Sequence, residues 1–316
     1  MAIADVCVER GSAADEWLEI SSRELAEKFI FHYWNQAAPY GGIVLLQNNN
    51  NQAAVISTLE TARRQFGTLG NLRSSSRAWR SVVSKVAGTV KEQPLWKLQR
   101  VGGEVLDFLY PHEDEGSVIR LRPGIAYCFR TFYPLIKDLV EGHWLMFVRQ
   151  HRVNQQVLGR HGDLRDFLFG SNRQSLKKFQ PVLLDIQESR CFYCDRRFGR
   201  VIEVDHFIPW SMYSYDLGHN FVLSCKSCNG DKSARLASAA HLRRWVDRNI
   251  DKGDAFTEKM KELDLLFDLD TTLRVAEFAY GFAESTNAQT WVARRNKLEP
   301  LKPGWRKLIE PSLSEL

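Results

Sequence analysis

Two Cys-x-x-Cys units constrain the fold of this chain more than any other feature of its sequence. The first unit is Cys191 with Cys194, and the second is Cys225 with Cys228. Two intervening residues let both thiolates of a unit reach one ion from a tight turn, and four thiolates complete a closed tetrahedral zinc site. A closed site leaves no position for water, so we expect a structural zinc ion. Chance proximity and a redox pair are the alternatives.

The remaining cysteines, Cys7 and Cys128, stand apart from these units. The N-terminal residues lack a basic-then-apolar export signal, and in such a chain paired cysteines favour metal over disulfides. No apolar run approaches the ~18–20 residues that cross a bilayer. We therefore expect a cytoplasmic protein without a membrane partner.

The insert between the two units has a pattern of its own. It spans about thirty residues, longer than the ~15–20 of simple zinc sites. Residues 200–204 alternate and include β-branched side chains, which predicts a strand that ends at Asp205-His206. Pro209 blocks its continuation. Residues 221–223 predict a second strand, and the residues from Cys228 onward suit a helix. The predicted order is strand, loop, strand and helix.

This segment resembles the branch of the HNH endonuclease family that carries a four-cysteine zinc site. The family pattern is a CxxC unit, an Asp-His-Ile/Phe-x-Pro strand, an Asn with an apolar neighbour, and CxxCN-x-x-K. The matching residues are Cys191, Cys194, Asp205-His206-Phe207-Ile208-Pro209, Asn220-Phe221, Cys225, Cys228-Asn229 and Lys232. The resemblance covers roughly one sixth of the chain and implies a ββα-metal nuclease module.

The resemblance implies catalytic roles that the chemistry of the residues supports. His206 can act as the general base, because imidazole titrates near neutrality. Asn220 occupies the central asparagine position, where it would hold that imidazole in one tautomer. Asp205 and Asn229 offer hard oxygen ligands that suit Mg²⁺ or Mn²⁺. Adjacent strand residues face opposite sides, so we expect a twist or bulge that lets Asp205 and His206 cooperate.

Several basic residues of the segment are candidates for nucleic-acid contact. Lys232 is expected to meet the scissile phosphate or its neighbour. Arg196, Arg197 and Arg200 are expected to line the approach, and a merely solvated basic face is the alternative. His219 precedes Asn220 and is expected to be a bystander.

Positive charge is concentrated outside this segment as well. The formal net charge is only +5, but residues 61–100 contain nine basic residues against one acid, and residues 149–178 contain seven against two. Such stretches attract polyphosphate backbones. Solvated faces of helices are the alternative reading.

The rest of the chain has mainly helical patterns. Ser21-Ser22-Arg23-Glu24 predicts a capping box that opens a helix, whereas the first ~20 residues lack a start signal and are expected to be irregular. Strand patterns are few outside residues 198–224, and residues 299–311, with three prolines, are expected to be irregular. The predicted fold is mainly α with a small α+β insert, the zinc-stapled HNH module, flanked by helical regions. The predicted regions are a mostly helical N-terminal region at 1–180, the HNH module at 187–245 and a helical C-terminal region at 246–316.

These features predict an endonuclease that hydrolyses DNA with a structural Zn²⁺ and a catalytic Mg²⁺ or Mn²⁺. RNA is the alternative substrate. The second reading is a zinc-stapled nucleic-acid-binding or scaffold protein whose HNH site is inactive. The helical regions are candidates for binding DNA, a protein partner or a second copy of the chain. A layout of HNH module plus helical regions is similar to nucleases of mobile elements, restriction and anti-phage defence.

Overall fold

The computed structural model of the chain describes residues 1–11, 15–48, 51–111, 117–158, 163–170 and 176–314. It is 56% helical and contains small antiparallel sheets. The chain forms two compact units, an N-terminal unit (Met1–Gly170) and a C-terminal unit (Ser171–Leu316).

The described helices of the N-terminal unit are α1 (Ala2–Arg10), α2 (Ser22–Trp34), α3 (Ala54–Phe66), α4 (Leu69–Ser74), α5 (Ser76–Glu92), α6 (Pro94–Lys97), α7 (Ile125–Thr131), α8 (Tyr133–Gln150) and α9 (Leu164–Phe169). A 3-10 turn covers Asn154–Gln156. Its strands are β1 (Leu18–Ser21), β2 (Arg100–Val101), β3 (Glu104–Val105) and β4 (Val118–Leu121). β1 pairs with β4 and β2 pairs with β3, both antiparallel.

The described helices of the C-terminal unit are α10 (Gln180–Ile186), α11 (Lys226–Lys232), α12 (Ala239–Asp251), α13 (Gly253–Glu262), α14 (Leu269–Ser285) and α15 (Arg306–Ser314). Its 3-10 turns are Lys177–Phe179 and Gly218–Asn220. Its strands are β5 (Ile202–His206), β6 (Phe221–Cys225), β7 (Gln289–Ala293) and β8 (Lys297–Pro300). β5 pairs with β6 and β7 pairs with β8, both antiparallel.

The prediction of an irregular N-terminal segment is wrong, because α1 occupies Ala2–Arg10 and is buried along nearly all of its length. Its N-cap residue is Met1, whose side chain makes no capping hydrogen bond. The usual start signal is therefore missing from the sequence. Small apolar residues on every side of the helix, such as Ala4 and Val8, allow it to be enclosed.

The capping box at Ser21 is confirmed. The backbone N–H of Glu24 donates to Oγ of Ser21 at 3.2 Å, and the backbone N–H of Ser21 donates to Oε2 of Glu24 at 2.8 Å. Two donors that the first helical turn would leave unpaired are thereby satisfied. This arrangement fixes the start of α2.

The β5–β6 sheet covers the main core of the C-terminal unit. Phe221 and Leu223 on β6 pack with Phe179, with α10 residues such as Leu183, and with Phe256 of α13. Phe179 and Phe221 lie 4.7 Å apart between ring centroids. One face of the sheet therefore anchors the module, and the opposite face meets α11.

The C-terminal region is less purely helical than predicted. The expected irregular segment 299–311 contains the end of β8 and most of α15. The β7–β8 hairpin is attached to the module, since the N–H of Trp291 donates to the carbonyl of Leu236 at 2.8 Å and Ser238 donates back to Trp291 at 2.8 Å. Helix α12 runs continuously through the expected boundary at 245/246.

The basic stretches lie only partly within the described residues. The first is carried mostly by α3 to α6. In the second, Arg160 and Arg173 lie outside the described residues. Among the described helices, none combines the length and the apolarity needed to cross a membrane.

Candidate active site and metal centre

The four paired cysteines come together as predicted. The ligand atoms of Cys191, Cys194, Cys225 and Cys228 all lie within 4.8 Å of one another. Four sulfur atoms bound to one zinc ion at ~2.3 Å lie about 3.8 Å apart, so the observed spacing fits a tetrahedral ion. The backbone N–H of Cys225 donates to Sγ of Cys191 at 3.4 Å, which favours the thiolate. The cluster is positioned to form a metal site and is compatible with structural zinc.

A tight turn presents the first cysteine pair. The N–H of Asp195 donates to the carbonyl of Cys191 at 2.9 Å, and the N–H of Cys191 donates to the carbonyl of Arg196 at 2.9 Å. Asp195 has φ 57°, a left-handed conformation that aspartate tolerates better than most residues. The N–H of Phe192 donates to Leu223 at 2.9 Å and ties this turn to β6.

The β5–β6 ladder determines where the catalytic candidates point. Pairing runs without a register shift from Ile202 opposite Cys225 to His206 opposite Phe221. Side chains alternate along a regular strand. Asp205 and His206 therefore leave β5 on opposite faces, and the expected bulge is not found in this ladder.

The face of Asp205 contains a buried ion pair. Oδ2 of Asp205 accepts a hydrogen bond from the Tyr193 hydroxyl at 2.6 Å and lies 3.1 Å from Nζ of Lys232. Burial, and then the charge of Asp205, raises the pKa of Tyr193 well above its usual value, so the phenol stays a donor. Lys232 reaches this carboxylate from the last residue of α11.

The position of Lys232 differs from the predicted phosphate contact. Its side chain is 0% exposed, and Nζ also donates to the carbonyl of His206 at 2.9 Å. A lysine enclosed in this way is paired with a carboxylate because an unpaired buried charge is costly. Its observed partners are therefore the carboxylate of Asp205 and the backbone carbonyl of His206, the two catalytic candidates on β5.

His206 lies on the other face, next to an acid that sequence reasoning missed. Its Nε2 is 2.8 Å from Oδ1 of Asp216, and both side chains are mostly buried. The imidazole also packs against Trp210 and Phe221, at 5.3 and 4.9 Å between ring centroids. In the tautomer that donates from Nε2 to Asp216, Nδ1 is the nitrogen that can accept a proton. Among the described residues, Nδ1 makes no hydrogen bond.

Among the described residues, the side-chain hydrogen bonds of Asn220 go to the backbone of Ile208. Its Oδ1 accepts from the N–H of Ile208 at 2.8 Å, and its Nδ2 donates to the carbonyl of Ile208 at 3.0 Å. This pair of bonds fixes the chain immediately after β5. Asn220 therefore shapes the loop that follows His206, whereas Asp216 holds the imidazole.

The carbonyl of His219, beside Asn220, is held by α12. Trp245 donates to it at 3.1 Å and Nη2 of Arg248 at 2.7 Å. Burial lowers the pKa of Arg248 to about 9. Burial, followed by the charge of Arg248, lowers the pKa of His219 to about 3, so this imidazole is neutral at ordinary pH. Its ring packs edge-on against Phe256, at 5.3 Å between ring centroids.

Asn229 pairs with a second residue that sequence reasoning missed, Glu203. Nδ2 of Asn229 donates to Oε2 of Glu203 at 2.7 Å. Glu203 precedes Asp205 by two residues and so shares its face of β5, a signal that strand alternation could have supplied. Neither Oδ1 of Asn229 nor Oδ1 of Asp205 hydrogen-bonds to a described residue. These two oxygen atoms are therefore available as hard ligands for a metal ion.

The three arginines lie on the surface near the first cysteine pair. Arg196, Arg197 and Arg200 are all exposed, and within the described chain none of them forms an ion pair. Their guanidinium groups are accessible to a ligand.

Comparison with known proteins identifies one region of the chain. Residues 191–235 match the family model described as HNH endonuclease. No curated protein and no solved structure matches the chain. The matched residues begin at the first cysteine of the cluster and extend past Lys232, and they suggest nuclease activity in general.

Proposed function

We propose that the C-terminal unit is a metal-dependent HNH endonuclease that hydrolyses phosphodiester bonds of DNA. The strand–turn–strand–helix segment β5, Gly218–Asn220, β6 and α11 would be its ββα module. The pair of His206 and Asp216 at the end of β5 supports this proposal most, because it supplies an oriented imidazole inside the residues that match the HNH model.

His206 would take the proton of the attacking water at Nδ1. The water oxygen forms a bond to phosphorus, the bond from phosphorus to the leaving sugar oxygen breaks, and that oxygen takes a proton from solvent. Asp216 keeps the proton of the neutral ring on Nε2 and stabilises the imidazolium that forms. General-base catalysis of this kind contributes about 10²–10⁴ to the rate.

Oδ1 of Asp205 and Oδ1 of Asn229 would hold a divalent Mg²⁺ or Mn²⁺ ion. Hard oxygen donors suit these ions, and two protein ligands leave positions for water and phosphate. The ion, when bound, supplies positive charge for the phosphate oxygens and the leaving group. Asp205 and His206 occupy the last two positions of β5, so the ion and the general base would act from opposite faces on a phosphate bound at the strand end.

The other candidates have supporting roles. Lys232 compensates the charge of Asp205 and supports the backbone of His206 from within the unit. Asn220 fixes the loop after β5. Arg196, Arg197 and Arg200 are exposed and would contact the phosphates of the substrate. The zinc site would join the start of the module to α11.

The second candidate function is a zinc-stapled nucleic-acid-binding or scaffold module without catalysis. The observation in its favour is that Oδ2 of Asp205 already accepts a hydrogen bond from Tyr193 and forms an ion pair with Lys232. We favour the nuclease, because binding alone would not require the His206–Asp216 pair. A role in restriction or anti-phage defence is part of the proposal and rests on the similarity of layout alone.

The test compares wild type with His206→Ala on supercoiled plasmid DNA in the presence of Mg²⁺, Mn²⁺ or EDTA. The zinc content of both proteins is measured alongside. Metal-dependent nicking or linearisation that disappears in the variant, with zinc retained, is the expected result. If wild type does not cleave the plasmid with any of these ions, the nuclease proposal fails and the binding module takes its place.

A further inference from the structure

The exposed side of α5 in the N-terminal unit is basic. Arg77, Arg80 and Lys85 are exposed and Lys91 is half-buried, whereas the only acid of the helix is its last residue, Glu92. At 100° per residue the four basic side chains fall within about 140° of the helix circumference. From Arg77 to Lys91 they extend over about 21 Å of helix length. We call these four residues the basic face of α5.

Small residues separate the four basic side chains. Ser81, Ser84 and Gly88 lie near the middle of the exposed side. In the described chain, neither serine hydroxyl makes a hydrogen bond, so both are free to donate to an outside acceptor. Because no large side chain stands between the cations, an extended anionic partner can approach the helix closely.

The charges of the basic face are not neutralised within the described chain. Arg80 donates to the carbonyl of Ser76 at 3.2 Å, and none of the four residues pairs with a described carboxylate. Other arginines of the same unit are compensated, as Arg64 is by Glu60 and Arg120 by Glu19. The positive field of α5 is therefore directed outward.

The opposite side of α5 holds the helix rigidly. Val83, Val86 and Val90 are 0% exposed and belong to the core of the unit. The basic side chains thus project from a packed helix rather than from a mobile segment. A packed helix loses less backbone conformational freedom on binding than a flexible segment does.

We propose that the basic face of α5 binds the phosphate backbone of double-stranded nucleic acid without reading its sequence. Arg, Lys and Ser side chains are the usual donors to phosphate, and such contacts carry no base information. The face lacks the aromatic side chains on which unstacked bases of single strands pack. It also lacks the large apolar side chains that anchor a helix in a lipid surface. This binding is distinct from the cleavage proposed above and does not require it.

The experiment measures binding of a short labelled DNA duplex by anisotropy, in EDTA, with His206→Ala as the parent so that cleavage cannot interfere. The variant is Arg77→Gln/Arg80→Gln/Lys85→Gln. The matched control is Lys259→Gln/Lys261→Gln/Lys302→Gln, which removes the same charge from lysines already paired with Asp185, Glu258 and Glu299. Thermal melting checks that both variants are folded.

The parent should bind the duplex with an affinity that falls steeply across about 50–200 mM salt. The α5 variant should bind at least about tenfold more weakly, and its log–log salt slope should be smaller by about 2.7, at about 0.9 per lost contact. The control should match the parent. Equal affinity and slope in the α5 variant, equal losses in the control, or binding of the parent to phosphatidylserine vesicles but not to the duplex would each overturn the proposal. Because the parent lacks His206, failure here is independent of whether wild type cleaves plasmid.

Discussion

Nε2 of His206 lies 2.8 Å from Oδ1 of Asp216, and this contact orients the imidazole that we propose as the general base. Asp216→Ala should lower kcat for DNA cleavage by about 10–100-fold with little change in KM, because the ring loses its fixed tautomer but the substrate contacts remain. Initial rates over a range of plasmid concentrations give both constants.

Asp216→Asn is the conservative comparison. Its amide can present nitrogen or oxygen to Nε2, so its kcat should lie between wild type and Asp216→Ala. The double variant with His206→Ala should be no slower than His206→Ala alone, since the two residues act as a unit. Additive losses would contradict a role for Asp216 through His206 and would point to a separate structural effect.

The ion pair between Lys232 and Asp205 predicts a stability effect. Lys232→Met removes the cation and leaves the carboxylate of Asp205, a residue that is 8% exposed, without its cationic partner. Breaking a buried pair in this way typically costs about 3–5 kcal/mol. Urea unfolding should therefore give a lower free energy of unfolding by roughly that amount.

Lys226→Met is the matched control, because Lys226 starts the same helix and is exposed. Its free energy of unfolding should stay within about 0.5 kcal/mol of wild type. A Lys232→Met protein as stable as this control would mean that the ion pair contributes no net stability.

The four-cysteine cluster and the order of β5, β6 and α11 could be predicted from the sequence because their signals are local. The spacing within each Cys-x-x-Cys unit restricts where its thiolates can point. The alternating side chains of residues 200–204 predict the first strand, and Pro209 blocks its continuation. The grouping of the four cysteines is confirmed by the structure. Fold class was predictable only in outline, since the short pairs β1–β4, β2–β3 and β7–β8 have weak sequence patterns.

The contacts of the site could not be read from the sequence, because they join residues from several elements. Lys232 on α11 is buried beside Asp205 of β5, which also binds Tyr193 from the turn between Cys191 and Cys194. Asp216 lies in an irregular segment with no periodicity, so nothing marked it as the partner of His206. Asn220 matched the family position, yet its hydrogen bonds go to Ile208.

Removal of one cysteine of the cluster should abolish zinc binding. Cys228→Ser replaces a buried ligand, and the purified protein should lose its zinc and melt at a lower temperature, because binding of a structural ion contributes directly to folding. Zinc measured by atomic emission, together with a thermal melt, checks this. Cys128→Ser changes an exposed cysteine outside the cluster and should retain full zinc. Full zinc occupancy in Cys228→Ser would contradict a four-cysteine site.

The buried imidazole of His219 predicts how stability depends on pH. Burial lowers its pKa from 6.5 to about 3, so between these values the unfolded chain binds a proton that the folded chain does not. The free energy of unfolding should therefore fall as pH falls through this window, by up to about 1.4 kcal/mol per pH unit from this residue. His219→Phe should make urea-unfolding free energies measured from pH 7 to pH 4 less dependent on pH. Thr257→Val, which changes the neighbour at 3.4 Å from Nε2 but removes no titrating group, should keep the wild-type slope. A His219→Phe protein with the wild-type slope would assign the proton uptake to other residues, such as His241, whose pKa is also lowered by burial.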